Sequence, residues 1–349
     1  MESTNIFFND AGRLRSGWRL LIFLGVYLVA VILLGLLFRL FLMLVPAQAS
    51  ERLMASAWGW IIQALILFVP AALVGWGCGA MLEGLPMRAL GWALHRGWMR
   101  DLLVGSLVGA VSLLLSSALA AAPGGFRFTL AATSLLPMAA RTLLISALIF
   151  ICSAAAEEVL FRGYPLQTML RARLAWVGIL LTCIFFGWVH LNNPNMPQGY
   201  QLFSSPSLSF INKLLNIPFL NTALAGVWLA VAYLRTRSLW FPLGIHWAWN
   251  WTMGAVLGLP VSGISELTPQ PLMRAVDQGP TWLTGGEYGI EGGLACTLGL
   301  ILSTLFIWRT RLVSATEEMM SLTEKENPAT QNQTLSLNGP TPDYTSPSS

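Results

Sequence analysis

Charge is what this sequence has least of. Of 349 residues, 16 are acidic and 20 basic, so charged residues make up 10% of the chain against 55% hydrophobic. A soluble domain carries about 25% charged residues, and a shortfall of this size excludes a water-facing surface over most of the chain. Basic residues nowhere gather with interleaved aromatics, which excludes a nucleic-acid partner. The four cysteines, Cys78, Cys152, Cys183 and Cys296, lie inside apolar stretches with no CxxC pair. They read as small packing residues, not as a disulfide frame or a thiolate zinc site. No HExxH occurs, the pattern that puts two zinc ligands on one helical turn, and there is no internal repeat.

Long apolar runs are what the chain has instead. Eight can be drawn, near 18–45, 54–82, 102–122, 136–170, 174–194, 219–234, 239–258 and 292–308. A spanning helix needs about 20 apolar residues, so the expected fold is all-α, a polytopic transmembrane bundle of about eight helices. Arg13, Arg15 and Arg19 precede the first run and Ala47-Gln48-Ala49 looks like a signal-peptidase site. The run from Leu20 to Val45 is too long for a signal's apolar region of about 7–15 residues, and a retained helix is expected. Trp18, Trp58, Trp60, Trp98, Trp240 and Trp308 sit near span ends, where interfacial anchors belong.

Arginine and lysine set the orientation. Fourteen fall on the side of the N-terminus, side A, and five on side B, Arg52, Arg127, Arg141, Lys213 and Arg274, with Arg39 left to snorkel from the first span. Side A is therefore expected to be cytoplasmic and to hold both termini, as for a bacterial inner-membrane protein. The chain divides into three N-terminal spans (1–135), a four-helix core (136–258), a side-B loop with the last helix (259–315) and a polar tail (316–349) expected to be disordered.

Two acidic residues cannot be placed outside the membrane. Glu157 and Glu158 follow an unbroken apolar run from Leu143 to Ala156. An ionisable side chain at the centre of a spanning helix costs about 2.5–3.5 kcal/mol on insertion scales, so an adjacent pair points to function. Two of three histidines, His190 and His246, are also embedded, whereas His95 lies in a loop. Glu158 and Arg162 are four apart and share a helical face; so do Phe186 and His190, and His246 and Asn250. Glu157 is rotated about 100° from Glu158 and faces something else. A helical hairpin turning at Arg173-Leu174 sets Glu157 opposite His190, if the fourth helix runs to about Leu170 and tolerates Pro165 as a kink. Each feature alone has a plain structural reading: a satisfied core histidine, a helix-anchoring ion pair, an asparagine between helices. Trp247, Trp249 and Trp251 read as packing.

Three motifs stand in order, Glu157-Glu158-Val159-Leu160-Phe161-Arg162, Phe186-Gly187-Trp188-Val189-His190 and His246-Trp247-Ala248-Trp249-Asn250. Together they resemble the CPBP family of intramembrane endopeptidases (CAAX prenyl protease and bacteriocin-processing, Abi-type), with the pattern EExxxR, FxxxH and HxxxN/B on successive core helices. Thr236-Arg237-Ser238-Leu239-Trp240 and Asn193-Pro194-Asn195 look like the family too; the match covers about residues 140–255. The resemblance implies hydrolysis of a peptide bond near the membrane, in a lipid-embedded protein acting on a peptide or protein substrate. Glu157 would activate water, His190 would share it, and His246 and Asn250 would stabilise the oxyanion. Glu158, Arg162 and Phe186 would stand behind them. No cofactor is favoured, because Asn250 suits an oxyanion role and poorly suits zinc; a zinc enzyme would take Glu157, His190 and His246 as ligands. A proton-coupled transporter and a non-catalytic scaffold or immunity protein are the other readings of the embedded groups.

Overall fold

The computed structural model describes residues 6–9, 12–132, 135–197, 214 and 216–324. The eight apolar runs all appear as helices. The first three are α1 (Ser16–Leu44), α3 (Ala57–Glu83) and α4 (Trp98–Ala121), with the short α2 (Ala47–Met54) between the first two. The core runs α5 (Leu136–Phe161), α6 (Tyr164–Arg171), α7 (Ala175–Val189), α8 (Ile217–Thr236) and α9 (Trp240–Trp251). A π-helical turn, Thr252–Val256, prolongs α9. Then come α10 (Leu294–Arg309) and α11 (Glu317–Glu324). Six segments are long and apolar enough to cross a membrane: α1, α3, α4, α5 with α6, α7 with the turn after it, and α8. The protein is an all-α polytopic bundle and an integral membrane protein. The segments α9 and α10 are shorter, and α9 is among the most buried elements.

Two details differ from the sequence reading. The fourth run is not one helix kinked at Pro165. It breaks at Gly163 (φ −70°, ψ −133°), where a Cβ would meet the Val159 carbonyl at 2.2 Å. Pro165 lies in the first turn of α6, where its missing N–H costs nothing. The buried Gln167 amide seals the break by donating to the Arg162 and Leu90 carbonyls, at 3.1 and 2.9 Å. The expected hairpin turn does fall at Arg173, in the left-handed region with φ 60°. Second, the start of the polar tail is ordered as α11, with Met319 buried; residues 325–349 lie outside the described residues. Most of the side-B loop at 195–218 does as well.

Apolar surface on α1 stays outward along most of its length, as a lipid-facing helix requires. The inner layer is α9, packed against α4 on one side and α5 on the other, with α8 alongside. The α4–α9 contact is backbone to backbone. A Cβ on Gly105 would reach the Phe241 carbonyl at 2.3 Å, and one on Gly109 the Ile245 carbonyl at 2.1 Å. Gly105 and Gly109 form a small-xxx-small pair, the arrangement that lets membrane helices approach closely. Trp247 and Trp251 donate their indole N–H groups to the Ala147 and Leu143 carbonyls, tying α9 to α5.

The loops separate into two ends. At one end Glu83 holds both Arg19 and Arg171, Leu239 N donates to the Gly91 carbonyl, and Arg235 donates to the Thr310 and Val313 carbonyls. At the other, strands β1 (Phe126–Leu130) and β2 (Met273–Asp277) pair antiparallel, joining the segments that follow α4 and α9. These are the sides A and B of the charge count. His95, expected as a loop residue of no role, is buried on side A with Nε2 3.5 Å from Asp101 Oδ2.

Candidate active site

The three motif helices converge on one cavity of about 640 Å³. Glu157 on α5, His190 at the end of α7, and His246 and Asn250 on α9 all line it. Tyr27 and Leu28 of α1 and Trp60 of α3 form part of the opposite, apolar wall, so Trp60 is a cavity residue as well as a span-end tryptophan.

The adjacent glutamates divide as their helical angles require. Glu158 is fully buried and Glu157 is 29% exposed toward the cavity. Glu158 Oε1 accepts from Arg162 Nη1 at 3.2 Å and from His246 Nδ1 at 2.9 Å. Arg162 also donates to the Gly226 carbonyl on α8 at 3.3 Å, and its guanidinium lies over the Phe186 ring, 4.6 Å from the centroid. Taking two charges from water costs several kcal/mol per ion unless partners surround them. Here α5, α7, α8 and α9 each contribute one.

His246 therefore stands between the two carboxylates. Its Nδ1 faces Glu158, and Nε2 is 3.7 Å from Glu157 Oε2, beyond hydrogen-bond length. Glu157 Oε2 is buried with no hydrogen-bond partner among the described residues. Phe186 fills the space between the histidines, its ring centroid 4.8 Å from His190 and 6.2 Å from His246. The Phe186 carbonyl lies 2.7 Å from His190 Nδ1. A carbonyl can only accept, so Nδ1 carries the proton and Nε2 of the neutral ring is an acceptor.

A family model, type II CAAX prenyl endopeptidase Rce1-like, matches residues 139–252, from the first turn of α5 to the end of α9. Over that segment the chain is similar to the CPBP, or CAAX-protease, family. No curated protein and no solved structure matches it. The matched segment holds all seven residues singled out from the sequence, and the similarity supports a membrane-embedded hydrolase of the CAAX-protease type.

The donor set bears on zinc through its spacing. Among the described residues no three His, Cys, Asp or Glu side chains are gathered as metal ligands. Glu157, His190 and His246, the three residues a zinc enzyme would use, all line the cavity. Sequence reasoning missed three contributors. The Glu158–His246 contact links residues 88 apart and has no local signal. The Gly105-x-x-x-Gly109 pattern that seats α9 was legible and was not used. Glu291, which also lines the cavity, is one acidic residue in a glycine-rich loop and carries no motif.

Proposed function

We propose that this protein is an intramembrane endopeptidase in which Glu157 activates water without a metal. The observation that carries the reading is the unequal division of the two glutamates. One carboxylate is spent on holding Arg162 and His246, and the other reaches the cavity with an oxygen left unpartnered.

The chemistry runs through this chain's own groups. A water held between Glu157 and His190 Nε2 loses a proton to the Glu157 carboxylate. The resulting hydroxide adds to the scissile carbonyl carbon, and its π electrons move onto oxygen. Asn250 Nδ2–H and the Nε2–H of doubly protonated His246 donate to that oxyanion. Glu158 keeps the ring turned so that Nδ1 stays engaged and Nε2 faces the cavity, as an orienting carboxylate does for a catalytic histidine. The intermediate collapses, the C–N bond breaks, and the proton on Glu157 passes to the leaving amine. The products are a new carboxylic acid, which ionises on release, and a new amine, and the enzyme returns to its starting protonation.

The substrate is a peptide segment beside or within the bilayer, since most of the cavity wall is apolar. The test is turnover of membrane-reconstituted protein on apolar peptides. Asn250→Ala should lower kcat by about 10²–10³, as loss of one oxyanion donor does. Wild-type turnover should survive exhaustive chelation. Activity lost with stoichiometric zinc and restored by it would overturn the metal-free mechanism.

A further inference from the structure

Glu291 lies outside the family segment, in the loop between β2 and α10, and lines the cavity at its side-B end. Its carboxylate meets hydrogen-bond donors alone. Oε1 accepts from Trp249 Nε1 at 3.0 Å; Oε2 accepts from the Ser262 backbone N–H and hydroxyl, each at 2.8 Å. Its backbone carbonyl accepts from Asn221 of α8 at 2.8 Å.

Ser262 belongs to a short strap closed by the Val261–Ile264 bridge, with Ser262 (φ 49°) and Gly263 (φ 84°) both in the left-handed region. The same strap is held from the opposite side. Asn193 Nδ2 donates to the Ser262 carbonyl at 3.2 Å, and Asn195 Nδ2 to the Gly263 carbonyl at 3.1 Å. Asn193 follows His190 by three residues, and Trp249 adjoins Asn250. The strap thus connects the end of α7 to the last turn of α9, and Glu291 is the clasp.

We infer that Glu291 is a positioning residue: through Trp249 and the strap it fixes the spacing between the His190 end of α7 and the Asn250 face of α9. This rests on the hydrolase reading above for its effect on catalysis, but not for the clasp itself. Three donors converge on one group, and only a carboxylate can accept all of them. Glutamine keeps size and shape but turns one oxygen into a donor, so it must oppose Trp249 or Ser262. Aspartate keeps both acceptors and loses one methylene of reach. A misplacement of about 1 Å between reacting groups costs on the order of 10²-fold in rate.

The experiment has two arms on the full-length protein in liposomes, comparing wild type, Glu291→Gln and Glu291→Asp. The first is amide hydrogen exchange over 259–266, where the Ser262 N–H is itself one of the bonds in question. Exchange there should be about tenfold faster in Glu291→Gln, with exchange in α4 and α9 unchanged, and intermediate in Glu291→Asp. The second is peptide hydrolysis, where Glu291→Gln should lower kcat by about 10²-fold with KM within about twofold, and Glu291→Asp should recover part of that loss. Unchanged exchange removes the clasp. Faster exchange with wild-type kcat leaves a structural strap and overturns the positioning role. If even wild type hydrolyses nothing, the hydrolase reading fails, and the exchange arm still decides whether the clasp exists.

Discussion

Glu157 and Glu158 are sequence neighbours that meet opposite surroundings, and that opposition is the chemical content of the site. The buried network Arg162–Glu158–His246 places one cation between a carboxylate, a carbonyl and an aromatic face. Removing one partner of a buried pair leaves the other uncompensated, at about 3–5 kcal/mol. Arg162→Ala should therefore lower the thermal midpoint and the folded yield together with activity. A variant that melts like wild type and turns over normally would remove the pair from the site. The Glu158–Arg162 pair and the outward turn of Glu157 were legible because 100° per residue decides them within one helix. That His246 pairs with Glu158 and stands beside Glu157 was not, because nothing local relates residues on α5 and α9.

At the scale of elements, the site depends on how deeply α9 is seated. Its twelve residues and π-helical extension are held by α4 through glycine backbones and by α5 through two indole donors. Gly109→Ala puts a methyl within 2.1 Å of the Ile245 carbonyl, one residue from His246. The helices must part, at about 3 kcal/mol, the upper end for overpacking. Turnover and thermal midpoint should fall together, while Gly35→Ala on α1, half-buried and with nothing within 4 Å of an added Cβ, should lower neither. Normal turnover in Gly109→Ala would show that α9 tolerates displacement. Apolar run length was enough to find every long helix. It did not show the Gly163 break, because Pro165 is the louder signal and only the steric conflict with Val159 identifies the glycine. Nor did it show the β1–β2 pair, formed by segments more than a hundred residues apart.

Across the whole molecule, contacts sort the loops onto the same two ends as the fourteen-to-five arginine and lysine count. We propose that side A, with both termini, faces the cytoplasm. A reporter fused after Val313 should report cytoplasm and one inserted after Asp277 the opposite side; the reverse pattern defeats the assignment. The central claim is hydrolysis by Glu157 inside this cavity. Its most direct test is mass spectrometry of peptide products formed by reconstituted protein in water enriched in the heavy oxygen isotope. Wild type should yield a new C-terminal carboxylate carrying one labelled oxygen, and Glu157→Gln, with an unchanged thermal melt, should lose about 10²–10⁴ of that turnover. Labelled product formed at the wild-type rate by a folded Glu157→Gln would contradict the account.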